Sequence, residues 1–143
     1  SSGEKILQFG KNKNMQTFKS PEVIINKSAE DFFTKIGNLN NLREMLPSSI
    51  KDFESTETTC SFKMKGIPNL NLELFEKTPF SKISLSAKGS QVPFSLECFI
   101  TEKGDKCQAR LEINAELNAM MKMMVEKPLI QFLEILARKM GKF

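Results

Sequence analysis

Residues 118–143, Asn118 to Phe143, read NAMMKMMVEKPLIQFLEILARKMGKF. Asn118 is placed to cap a helix start, and Met121, Met124/Val125, Pro128/Leu129, Phe132, Leu136 and Met140 recur every three or four residues, which predicts one long amphipathic helix. Such a broad apolar face has to be buried. The segments before it alternate apolar and polar residues, so the helix is expected to cover the single apolar face of a curved antiparallel sheet. The space between sheet and helix is where function is expected to lie.

The alternation starts in earnest at residue 59. Cys60, Phe62 and Met64 share one parity, followed by Leu70, Leu72 and Leu74, then Ile83, Leu85 and Ala87. Phe94, Leu96, Cys98 and Ile100 form the next row, and Cys107, Ala109, Leu111, Ile113 and Ala115 the last. Gly66 with Pro68, Pro79, the loop Gly89–Pro93 and Gly104 supply the turns between them. Ile50–Glu54 reads as a shorter, imperfect strand.

Upstream, Met15–Asn26 (MQTFKSPEVIIN) reads as a first strand with a break or edge position at Pro21. Ser28 with Asp31 predicts a capped helix, SAEDFFTKI, stopped by Gly37. Asn38 can cap a second short helix that ends before Pro47. The fold class is therefore α+β: a seven-stranded curved antiparallel sheet wrapped on a long C-terminal helix, with two short helices between strands one and two.

A chain of 143 residues has the size of one domain. Residues 15–143 are read as that domain, and residues 1–14, which are polar and precede Met15, as a non-native leader or disordered tail. Lys5, Lys11 and Lys13 against Glu4 carry half of the formal charge of +4. The remaining charges are mixed along the chain, so no nucleic-acid partner is expected. No apolar run reaches the ~20 residues of a membrane-spanning helix, no stable membrane insertion is expected, and the opening SSGEKIL has no secretory pattern. The compartment expected is the cytoplasm.

The composition also narrows the chemistry. The chain has no histidine, tyrosine or tryptophan, which removes histidine-based triads, histidine general bases, the commonest zinc sites and phenolic acids. Neither a glycine-rich phosphate loop nor an HExxH or GxSxG pattern occurs. Cys60, Cys98 and Cys107 lack metal-like spacing and lie on inward parities, so they read as reduced core thiols. No metal, no cofactor and no catalytic residue is assigned.

The order of strand, two short helices, six strands and long helix resembles the helix-grip fold of the START-like, polyketide cyclase (SRPBCC) superfamily. The resemblance covers Met15–Phe143 and rests on FKSPEVIINKSAEDFFTKIGNLNNLREMLP, CSFKMKGIPNLNLELFEKTP and the tail LNAMMKMMVEKPLIQFLEILARKM. Phe33 stands where such chains often carry tryptophan or tyrosine, and Met45-Leu46-Pro47 where a Trp-x-Pro is common. The resemblance implies an apolar molecule or lipid held between sheet and helix but does not settle the activity, and the absence of histidine, tyrosine and tryptophan favours a non-enzymatic carrier or sensor. The resemblance also implies two alternatives: a protein-interaction module like the chaperone activators of this fold, or a cyclase or hydrolase.

Inward parity and helix spacing nominate a ligand-binding lining of Phe62, Met64, Leu72, Leu85, Leu96 and Leu111 from the strands, with Met121, Met124 and Leu129 from the helix. Glu76 shares the parity of Leu74 and is a candidate carboxylate at the cavity edge, while Arg43 is a candidate for an anionic head group. Each also reads as an ordinary solvated side chain. The Met-rich turn, Met120–Val125, is read either as an adaptable lining or as gap-filling core, and Pro128 predicts a kink that would let it act as a gate. Phe75 and Phe99 break the outward polar pattern. They would support a weak homodimer if they formed one patch.

Overall fold

The structure, a computed structural model, describes residues 15–89 and 93–143. The leader assigned to residues 1–14 and the centre of the Gly89–Pro93 loop lie outside the described residues. Among the described residues, eight strands form one antiparallel sheet: β1 (Met15–Lys19), β2 (Val23–Ile25), β3 (Lys51–Ser55), β4 (Thr59–Met64), β5 (Ile67–Thr78), β6 (Lys82–Ala87), β7 (Phe94–Lys103) and β8 (Lys106–Glu116). Their order is β1-β8-β7-β6-β5-β4-β3, with β2 also paired to β8.

The expected seven strands become eight because the first is split around Pro21. Phe18 lies opposite Ile113 and Ile25 opposite Cys107, so β1 and β2 continue along the same neighbour. Proline has no backbone donor for the ladder, and Ser20 bridges the gap. Its N–H donates to the Leu111 carbonyl, and its hydroxyl oxygen accepts the Leu111 N–H, each at 2.9 Å.

Helix α1 (Ala29–Ile36) begins as its sequence predicts, the Ser28 hydroxyl accepting the Asp31 N–H at 3.1 Å. The second short helix, Leu39–Met45, is a 3-10 helix. It is confined between the Asn38 cap and the extended Leu46 that Pro47 requires, and such short tight turns suit that space. The C-terminal helix α2 (Ala119–Met140) is capped by Asn118, whose side-chain oxygen accepts the Met121 N–H at 2.8 Å, and it contains Pro128 within a single helix.

The core lies between the inner sheet face and the second half of α2. Leu129, Phe132, Leu133, Leu136, Ala137 and Met140 are buried there, whereas Met121 and Val125 pack only partly against the core rim. Lys139 ties the helix to the 3-10 segment by donating to the Leu46 carbonyl at 2.8 Å. Register shifts at Lys51/Glu54, Phe62/Met64 and Leu74/Glu76 bend the sheet around this core. Among the described residues, no helix is long and apolar enough to cross a membrane.

Candidate functional site

An apolar cavity of about 50 Å³ lies between the sheet and α2. Phe62 and Leu72 from β4 and β5, Leu85 from β6, Leu96 from β7 and Leu111 from β8 line it, as period-two parity predicts. The helix contributes Phe132, Leu136 and Met140, and the short helices contribute Ile36, Leu39, Leu42, Met45 and Leu46. A water needs polar partners as well as space, so a cavity with this lining is dry. Its volume is well below the ~300 Å³ at which pockets for drug-sized ligands begin.

A second hollow, open to solvent and about 470 Å³ in volume, lies between α2 and the β4–β5 hairpin. Pro47, Ser49, Met64, Lys65 and Gly66 form one side, with Lys127, Pro128, Gln131, Phe132 and Ile135 on the helix side. Gly66 makes the hairpin turn at φ +86°, where a side chain is strained. Phe132 lines both hollows. It is stacked on Phe62, with ring centroids 5.8 Å apart and planes at 26°, and it is the described lining residue that cleft and cavity share.

The remaining nominated residues lie elsewhere. Met64 lines the open cleft, and Leu129 is buried in the core without facing the cavity. Met121 reaches only the core rim, and Met124 is 68% exposed beside the exposed Met120 and Met123. The inward stripe runs through Met121, Val125, Leu129 and Phe132. Met124 therefore sits about 100° around the helix from Val125 and faces out.

Glu76 is on the opposite face of the sheet from the one its parity predicts. The irregularity between Leu74 and Glu76 adds a residue at Phe75, so Leu74 pairs with inward Leu85 while Glu76 pairs with Ser84. There the Thr78 hydroxyl donates to Glu76 at 2.7 Å and the Lys82 ammonium stands 3.5 Å away. The Thr78 hydrogen bond, joined by the charge of Lys82 and opposed by partial desolvation, holds this carboxyl below its usual range. Lys77 takes the inward position instead, over the Phe33 ring at 5.8 Å.

Arg43 is equally remote from the cavity, its guanidinium over the Phe53 ring at 4.8 Å and donating to the Phe53 carbonyl at 3.3 Å. Phe75 and Phe99 do not form one patch, because β6 lies between their strands. Phe75 is 73% exposed, whereas Phe99 is sandwiched between Lys82 at 5.5 Å and Arg110 at 4.5 Å.

Among the described residues, Cys98 is the one cavity-lining residue with an ionisable side chain. Burial pushes its thiol, like that of Cys60, up to about 12, and raises Cys107 as well. All three are buried free cysteines, as expected for core thiols. Among the described residues, no group of three histidine, cysteine, aspartate or glutamate side chains is arranged to hold a metal ion.

Phe132 belongs to the helix stripe visible in the sequence, but its place beside both hollows depends on Phe62, which is 70 residues away. Lys65 and Lys127 line the same cleft, one from the hairpin and one from α2, and carry no local signal of that shared position.

No family sequence model and no curated protein matches the chain. Solved structures do. A truncated norcoclaurine synthase from Thalictrum flavum superposes with a TM-score of 0.67 at 16% identity, over 90% of this chain and 92% of that one. A START superfamily protein from Mycobacterium smegmatis gives 0.62 at 13% identity, over 90% and 94%. A conserved protein from Geobacillus kaustophilus also gives 0.62 at 13%, over 88% and 92%. At these identities the likeness is one of fold. With the sheet order and the position of α2, it establishes that this chain has the START-like helix-grip fold.

Proposed function

We infer that the protein binds a small apolar ligand between its sheet and α2 and acts as a carrier or sensor. The observation that carries this reading is the pair of hollows that share Phe132 in their lining. An apolar cavity of about 50 Å³ meets one aromatic ring, and an open cleft of about 470 Å³ meets the same ring. Rotation of Phe132 would join them into a volume within the ordinary range of ligand pockets. Burial of apolar surface, worth about 25 cal/mol per Å², would drive entry, less the cost of breaking the Phe62–Phe132 stack and of association itself.

A synthase-like reaction finds little support in this lining. The norcoclaurine synthases are enzymes by name, but among the described residues the cavity here offers only the protonated Cys98 as an acid or base. Glu76 and Arg43 are both engaged away from it. The protein-interaction reading retains exposed Phe75 but loses Phe99 to its two cations.

Native mass spectrometry of freshly purified protein, combined with titration of a fluorescent apolar probe, tests the proposal. Retained small-molecule mass, or saturable probe binding that Phe132→Trp alters, is the expected result. Protein that carries no added mass and takes up no probe overturns it.

A further inference from the structure

The open cleft differs chemically from the cavity behind it. Its walls include the apolar Met64, Pro128, Phe132 and Ile135, and two lysines line the same hollow, Lys65 from the hairpin and Lys127 from the helix. Among the described residues, the lining contains no aspartate or glutamate and neither lysine stands in an ion pair. Both lysines are exposed, so their charges are solvated and available. A trough with apolar walls and two cations fits a molecule with an apolar chain and an anionic end.

We propose that the cleft is the binding site for a single-chain anionic amphiphile. Its carboxylate or sulfate is held by Lys65 and Lys127, and its alkyl chain runs along Met64, Pro128 and Ile135 to Phe132. The proposal rests on the apolar-ligand reading above and specifies the ligand's charge and polarity. Two ammonium groups converging on one anion give charge-assisted contacts that an uncharged head group of the same chain length cannot match. A bilayer surface is the less suitable occupant, because the cations line a concave hollow.

The experiment compares laurate with dodecanol, which has the same chain and a neutral end, by calorimetric titration at submillimolar concentration. Laurate should bind about fivefold or more tightly than dodecanol, with the difference shrinking in salt. The exposed double variant Lys65→Gln/Lys127→Gln, shown to be folded by circular dichroism, should remove the preference while leaving dodecanol binding in place. Equal binding of the two ligands by the native protein overturns the head-group assignment but leaves the apolar-ligand reading standing. A laurate preference that survives in the double variant also overturns it. Binding of neither ligand overturns both readings. Sedimentation with phosphatidylglycerol vesicles without laurate binding would instead identify a membrane-facing surface and reject a single-chain ligand.

Discussion

Phe132 on α2 stacks on Phe62 of β4 at 5.8 Å between centroids and lines both the cavity and the cleft, the boundary on which the proposed ligand entry depends. Both residues are 3% exposed, so the stack serves packing as well as that boundary. Phe132→Ala should therefore lower stability by about 3 kcal/mol or more in a urea titration, the usual cost of truncating a buried phenylalanine. It should also increase the uptake rate of an apolar fluorescent probe, since the shared ring is gone. A variant that loses stability without faster uptake would make Phe132 a packing residue only.

The buried thiols give a second readout of closure. With Cys60 and Cys98 raised to about 12, the thiolate fraction at pH 9 is about one in a thousand. A thiol reagent should label the native protein slowly at pH 8, about tenfold faster but still slowly at pH 9 because the thiolate fraction rises about tenfold per pH unit below the pKa, and label all three cysteines promptly in denaturant. Cys98 lines the cavity, so Phe132→Ala should accelerate its labelling selectively. Mass spectrometry of the labelled peptides distinguishes this from general loosening, which would expose Cys60 and Cys107 as well.

On the outer sheet face, Thr78 is the main cause of the low Glu76 titration. Thr78→Val should raise that midpoint toward the usual ~4.3, as followed by carboxyl-carbon NMR. Because the folded-state value is depressed, the stabilisation is present above the unfolded value and lost as pH falls through the folded one. Any stability difference between native protein and Glu76→Gln should therefore shrink as the pH is lowered through that window. A difference that grows in acid would contradict the hydrogen-bonded geometry.

Glu76 also shows where reading the sequence stopped working. Period-two alternation located the five strands from Thr59 to Glu116 and five of the cavity-lining residues, because a half-buried sheet enforces that pattern directly. A bulge adds one residue and reverses every later parity on its strand, and FEK carries no mark of it. The split first strand was legible in Pro21, whose missing N–H is a property of the residue itself. The helix stripe was legible as a direction but not as a depth. Met121 continues the line of Leu129 and Phe132, yet it reaches only the rim, since burial at each turn depends on what lies opposite. Volume is less legible still, because the gap between cavity and cleft is set by how one ring stacks on another.

Pro128 separates the exposed methionine turn from the packed half of α2, and it also lines the cleft, facing the Gly66 turn. A proline inside a helix removes one N–H and crowds the preceding turn, at a cost of about 3 kcal/mol relative to alanine in an unadapted helix. In this helix the Met124 carbonyl has no N–H four residues on. Pro128→Ala restores that donor and should raise stability, by about 1 kcal/mol once the lost packing of the ring is counted. The same change removes an apolar wall from the cleft, so laurate affinity should fall about fourfold, roughly the effect of one methylene of lost contact. Stability and binding are thus expected to move in opposite directions. If Pro128→Ala lowers stability and leaves binding unchanged, the ring is a packing element of α2 and the wall of the cleft lies elsewhere.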